Sequence, residues 1–357
     1  FNDVYMSMNV VYFMTTFLSG VFMFFLAKKL YNNNIIALLS SSIYITFPYH
    51  LSEIYIRDAF AENFIFLVLP IVFLGLNYLK EGNNKLFYIY FIFGYVIGIY
   101  SHLISMIFLT IFLALYLIFY RRIFFKKEKF KPLLISTLIV TLIVSPFLIT
   151  IMEHKMLNIY SVYLNSSFTN RDLVVNRVLE LKQLYQQESM PDKIRPYINI
   201  VVIVLLMISL ITNLFLRKKV KNRKTQKLLI LSIFILIVLL CSKVFWENVF
   251  ELLLMIQFPW RLLTFLSLCV SLYSVTFIYN LINFFNNELL KKIIYLSVLI
   301  LIVILVNISF DNLDNYGDRE YDVDLVSHNL MSLGWQFEYL PYVQLDDFYL
   351  RDFYFLK

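Results

Sequence analysis

The densest chemistry in this chain lies in Pro48-Tyr-His-Leu-Ser-Glu-Ile-Tyr-Ile-Arg-Asp-Ala-Phe-Ala-Glu-Asn63, where His50, Glu53, Arg57, Asp58 and Glu62 sit between two apolar runs. On a helix, Glu53 and Arg57 are i,i+4 partners, and so are Asp58 and Glu62. Two carboxylates on one face can hold a divalent cation such as Mg or Mn through oxygen ligands. They can also act as base and stabiliser beside a sugar. Arg57 suits a phosphate, because its planar fork matches two oxygens at once. His50, Glu53 and Tyr55 complete the candidate pocket. A plainer reading stands beside this one. Glu53–Arg57 is then a surface ion pair, and Asp58 caps the next helix.

Two other points carry chemistry. His102 lies in Tyr100-Ser-His-Leu103, at a turn between apolar segments. It is either a pocket residue with a catalytic role or an interfacial turn histidine. Arg261 follows Pro259-Trp260 and is either a second phosphate clamp or a snorkelling anchor beside an interfacial tryptophan. The four histidines match no zinc spacing. Cys241 and Cys269 both fall inside apolar runs and read as small hydrophobes.

The elements that must position these residues follow from composition. Of 357 residues, 60% are hydrophobic and 15% charged; soluble domains carry roughly 25% charged residues. That excludes an ordinary soluble enzyme, a disordered chain and a nucleic-acid binder. A spanning helix needs roughly 20 apolar residues. Ten segments approach this: 8–27, 34–48, 61–79, 86–101, 104–120, 132–152, 198–216, 228–242, 260–283 and 291–308. Three are short (34–48, 86–101, 228–242), and these read as broken or re-entrant helices. Pro48 ends the second. The expected fold is an all-α polytopic membrane protein of about ten transmembrane or re-entrant helices.

Charge alternates along the connections. One set, from Lys28-Lys29 through Lys80, Lys85, 121–131 and 217–227 to Lys291-Lys292, holds 19 of the 31 basic residues and three of the 24 acids. Its net charge is +16, against −9 for the rest of the chain. The positive-inside bias puts the basic set in the cytoplasm of a plasma-membrane protein. The basic bands are then topology signals and headgroup contacts, with no nucleic-acid partner. The far side would carry the loop after segment two, a loop over 153–197, an interfacial helix over 244–256 with a Trp anchor, and an acidic tail. Within 153–197, Leu173, Val174, Val178, Leu181 and Leu184 fall near one face of a helix. The domain division is a multi-span region, 1–308, then the start of an acidic extracytoplasmic domain, 309–357, with aromatic-rich strands. The ends read as a chain cut from something longer.

The same residues carry a family resemblance. "PYHLSEIYIRDAFAENFIFLVLP", "YSHLIS", "QFPWRLL" and "EYLP" (Glu338 to Pro341) resemble ordered motifs of bacterial polytopic membrane proteins labelled "6-pyruvoyl-tetrahydropterin synthase-related". The soluble tetrahydropterin enzyme has clustered zinc histidines, which are missing here, so pterin chemistry is rejected. The architecture is similar to that of the C-type glycosyltransferase superfamily, whose members use polyprenyl-phosphate-linked sugars on the outer face to decorate envelope polymers. The resemblance implies that Arg57, Asp58, Glu62, His102 and Arg261 line an outward cavity. In that superfamily the principal acidic base sits in a first outer loop, and the context of Asp3 does not match it.

The resulting expectation is a cell-envelope glycosyltransferase. Its partners would be membrane lipid, a polyprenyl-phosphate-linked sugar and an envelope acceptor. Arg57 and Arg261 would hold phosphate. Asp58 or Glu62 would bind metal or orient the acceptor, and His102 would shape the pocket. A transporter or flippase of lipid-linked glycans and a non-catalytic scaffold are the rival readings. Against transport, the ionisable groups cluster at segment ends, whereas transporters bind near the midplane.

Overall fold

The computed structural model describes residues 4–57, 59–157, 171–185, 196–215, 223–254, 256–285 and 287–314. These are helical, with no strand among the described residues. In chain order the helices are α1 (Val4–Tyr31), α2 (Asn34–Ile45), α3 (Pro48–Tyr55), α4 (Phe60–Glu81), α5 (Asn84–Ser101), α6 (Leu103–Phe119), α7 (Arg121–Phe124) and α8 (Lys127–Met156). Then come α9 (Arg171–Asn176), α10 (Ile200–Phe215), α11 (Arg223–Cys241), α12 (Lys243–Asn248), α13 (Glu251–Leu254), α14 (Leu263–Ser274), α15 (Thr276–Phe284) and α16 (Glu288–Asp314).

All ten expected segments fall on helices. Six helices are long and apolar enough to cross a membrane, or seven if the α2–α3 pair, bent by 47°, is one broken span. That is the build of a multi-pass membrane protein. Helices α6 and α10 are apolar but shorter, so six or seven of the ten segments meet the test of length.

Local chemistry sets the breaks. Asn33 caps α2, its side chain accepting from the amides of Ile35 and Ile36, two donors that a helix start leaves without partners. Pro48 sits at the first position of α3, where its missing N–H costs nothing. Gly82 ends α4 in the left-handed region, at φ 91°, which glycine adopts without a Cβ penalty. Inside α4, Pro70 cannot donate to the carbonyl of Phe66. The Tyr44 hydroxyl from α2 donates to that carbonyl instead, at 2.9 Å.

Helices α4 and α14 form the centre, with 16 of the 22 residues of α4 and all 12 of α14 buried. Helices α1 and α5 pack on α4, while α10, α11 and α2 pack on α14. Gly94 lets α5 approach α4 closely, since a Cβ there would come within 2.9 Å of Val72. The end carbonyls of α14 are satisfied across the bundle. Ser40 donates to Ser271 O at 2.8 Å, Ser209 to Ser274 O at 3.0 Å, and Tyr31 to Leu272 O.

Two expected elements come out differently. The single helix expected over 244–256 is two short helices, α12 and α13. Trp246 is buried, its indole N–H donating to Leu239 O at 2.7 Å, so it anchors protein to protein and does not face lipid. Of the expected apolar face in 171–187, Val174, Val178 and Leu184 are buried but Leu173 and Leu181 are exposed. The chain leaves the helix after Asn176 and re-forms as a 3-10 turn at Leu181–Leu184, which breaks the stripe. Arg171 donates to the carbonyls of Trp246, Glu247 and Val249, capping α12 where orphan carbonyls attract a cation. Helix α16 runs on to Asp314. The acidic tail beyond it, with its expected strands and Glu338–Pro341, lies outside the described residues, as do 158–170 and 186–195 of the 153–197 loop.

Candidate functional site

Short helix α3 lays Tyr49 and Glu53 along one stripe, since residues four apart share a helix face, and Arg57 lies in the turn just beyond the helix end. The turn after it is closed by Arg57 N to Ser52 O and Ala59 N to Glu53 O, each at 2.9 Å. It folds the chain back so that Glu62, in the first turn of α4, faces that stripe. Glu53 is fully buried and Glu62 is 4% exposed. Tyr49 donates its hydroxyl hydrogen to Glu62 Oε1 at 3.1 Å. Arg57 Nη1 donates to Glu53 Oε1 and lies 3.6 Å from Glu62 Oε2.

The second arginine arrives from far along the chain. Arg261 lies on the 3-10 turn Pro259–Leu262 that opens α14. Its Nε is 3.4 Å from both Glu62 oxygens. Its Nη1 donates to Ile256 O at 2.7 Å and to Gln257 Oε1 at 3.1 Å. Gln257 has φ 61°, an uncommon backbone state for a non-glycine residue. It is held directly beside the cluster.

A third guanidinium was not foreseen. Arg177 lies over the Phe258 ring at 4.4 Å, with Arg261 at 4.9 Å and Arg57 at 5.9 Å. Phe258 itself stacks on Trp260, with centroids 4.8 Å apart. Nothing in the spacing of Arg177 marked it, because the loop that carries it meets Phe258 only in the folded chain. Two guanidinium groups, those of Arg57 and Arg261, thus meet the two buried carboxylates directly, and Arg177 is joined to them through the shared Phe258 ring. Two buried polar atoms there, Glu53 Oε2 and Trp260 Nε1, have no hydrogen-bond partner among the described residues.

His102 caps α6, its Nδ1 accepting from the Ser105 amide at 3.2 Å. Burial holds its imidazole well below the usual value, at about 4. The charge of Glu62 acts against that shift, while Arg261 and Arg57 add to it, so His102 stands within electrostatic reach of the cluster. For Arg57, burial works against the charge, but Glu53 and Glu62 outweigh it and raise the pKa.

The structure thus gathers Glu53, Arg57, Glu62 and Arg261, with His102 nearby. It sets two expected pocket residues elsewhere. Tyr55 is 55% exposed; two residues beyond Glu53, it falls on the opposite side of α3. His50 belongs to the core. It stacks on Phe66 at 4.0 Å, and its Nε2–H donates to Asn63 Oδ1 at 3.0 Å. Asn63 in turn donates to Thr15 Oγ1 at 2.7 Å, which ties α3, α4 and α1 together. Asp58 lies outside the described residues.

Of the expected metal pair, Glu62 is the described half. A divalent ion on Glu62 would share it with two guanidinium groups, which repel a cation. Among the described residues, no three His, Cys, Asp or Glu side chains gather to hold a metal. Glu62 fits the arrangement as a carboxylate that positions arginines. Among the described residues, one apolar cavity lies between α5, α6 and α8 and another between α4, α6, α11 and α14. Neither is lined by a residue of the cluster.

No family model matches the chain, and no curated protein or solved structure matches it. The family resemblance therefore rests on its motifs alone.

Proposed function

We propose that this is a multi-pass protein of the bacterial cytoplasmic membrane whose arginine cluster faces away from the cytoplasm, and that it is a glycosyltransferase-like enzyme. It would move a sugar from a polyprenyl-phosphate donor to an envelope acceptor. The observation that carries this reading is the convergence of Arg57 and Arg261, 204 positions apart, on one buried carboxylate. Both keep guanidinium N–H groups that meet no partner among the described residues. Arg57 is bonded through Nη1 alone, and Arg261 Nη2 is unbonded.

Such preorganised donors suit a phosphate that gains charge as a glycosidic bond breaks. In the proposed reaction the sugar C1–O bond to phosphate breaks and a bond to an acceptor hydroxyl oxygen forms. Arg57 and Arg261 bind the departing phosphate, and Glu62 positions both. Asp58 is the candidate to orient the acceptor and take its proton. His102 shapes the pocket wall. The orientation is supported by the segregation of basic residues to the opposite connections.

The test is single substitution of Arg57→Lys, Asp58→Asn and Arg261→Lys, each checked for membrane insertion, followed by comparison of envelope glycans. The reading expects reduced glycosylation in the arginine variants, because lysine keeps the charge but loses the fork. Normal glycans in all three variants would overturn it.

A further inference from the structure

The other end of α4 carries a second cationic site. Glu62 and Lys80 are 18 residues apart on this helix, roughly 27 Å at about 1.5 Å per residue. Lys80 Nζ lies 3.6 Å from the centroid of the Tyr120 ring and 4.7 Å from that of Tyr116. Lys224, at the start of α11, reaches the same Tyr120 ring at 4.5 Å and Phe119 at 5.6 Å. Tyr120 is held by a hydrogen bond between its hydroxyl and Thr225 Oγ1, at 3.0 Å.

Two ammonium groups therefore share one aromatic ring, and among the described residues neither pairs with a carboxylate. The adjacent acid, Glu81, is taken by Lys29. Sequence neighbours add no acid, since 217–227 contains none. Ring faces attract a cation but do not neutralise it, and two like charges this close raise each other's energy. An anion is the missing component.

An apolar cavity of about 290 Å³ lies beside this pair, with Asn77, Phe108, Tyr116, Phe119, Thr225 and Leu228 among its lining residues. Asn77 is one helical turn from Lys80, and Thr225 follows Lys224. The cavity is open sideways, because Ile111, Leu115 and Leu231 in its wall are themselves exposed. A phosphate at the lysines would thus continue into an apolar slot between α6 and α11.

We propose that this is a binding site for an anionic phospholipid, with the headgroup phosphate between Lys80 and Lys224 and an acyl chain in the cavity. The site is separate from the arginine cluster and independent of any transfer reaction there. It provides from the bilayer the counter-charge that the described residues do not give to Lys80 and Lys224.

The test uses the full chain, purified and delipidated, with lipid binding followed by native mass spectrometry. Phosphatidylglycerol and phosphatidylcholine are the probes, with inorganic phosphate as competitor. Wild type is expected to prefer phosphatidylglycerol, and Lys80→Gln/Lys224→Gln to weaken that preference about tenfold. Lys126→Gln/Lys127→Gln, an exposed pair at the same end, should leave it unchanged. Should the double variant fail to fold, Lys224→Gln alone, at an exposed position, is expected to show part of the loss. Leu115→Trp, which fills the cavity mouth, should weaken both lipids. Equal loss in the two double variants would overturn the site in favour of a diffuse basic surface. Displacement of the lipid by inorganic phosphate at matched concentration would overturn the role of the acyl slot.

Discussion

The two ends of α4 hold their cations in opposite ways. At one end, Arg57 and Arg261 converge on Glu62, with Glu53 and Tyr49 completing a buried polar network. At the other, among the described residues, Lys80 and Lys224 meet aromatic rings and no carboxylate. Arginine is a fixed fork that carboxylates can hold in register, while lysine is a point charge on a flexible stem. The first end therefore carries its counter-ions within the protein, and its geometry is set before any ligand arrives. The second end takes its counter-ion from outside. Removing a charge should accordingly damage the fold at the first end and alter lipid binding at the second.

The sharpest test of that contrast is Glu62→Ala. It leaves two guanidinium groups without their shared partner, and breaking a buried pair this way costs about 3–5 kcal/mol. Thermal unfolding of the detergent-solubilised protein should show a larger fall for it than for Tyr44→Phe, His102→Gln or Lys224→Gln. A fall no greater than that of a surface substitution would remove the contrast. Next comes Tyr44→Phe, which strands the Phe66 carbonyl opposite Pro70 and should cost about 1–3 kcal/mol. In a Pro70→Ala background the cost should shrink, because the alanine N–H can reach that carbonyl.

A smaller effect is expected from pH at the arginine end. His102 is held neutral at a value of about 4, against an ordinary 6.5. Its contribution is thus fully present above pH 6.5 and fades as pH falls toward 4, since the unfolded chain then binds the proton more readily. Discounted for its partial exposure, the loss between pH 7.5 and pH 5 should be about 1 kcal/mol. His102→Gln should flatten that slope. The smallest change in stability is expected for Lys224→Gln, within about 0.5 kcal/mol, although it weakens anionic lipid binding. Orientation is checked separately. In a Cys241→Ser background, a thiol at exposed position 55 should react with an impermeant reagent outside intact cells, and one at position 126 should not.

The sequence reading located the helices well, because long apolar runs and alternating charge are one-dimensional signals. It also placed the break at Pro48, since the residue before a proline is biased away from the helical region, and Phe47 is extended, although Pro70 shows that a proline within a helix need not end it. It failed where a side chain's partner decides its role. Trp246 in a polar–apolar stretch looks the same in sequence whether it faces lipid or an adjacent helix end; the carbonyl of Leu239 made the difference. Tyr55 and His50 flank the same stripe as Glu53, and only the packing of α3 on α4 left one exposed and put the other against Phe66. Arg177 carried no pattern at all.

Composition and the order of apolar runs were sufficient to determine that this chain is a bundle of long apolar helices with its basic residues gathered on alternate connections. Burial of apolar surface and segregation of charge depend on local sequence, so they can be read from it. Which charges meet was decided only in three dimensions. The pairing of Arg261 with Glu62 spans 199 residues, and the meeting of Lys80 with Lys224 on Tyr120 joins three helices. A contact energy between such distant residues exists only once the helices between them have packed and brought the two groups within a few ångströms.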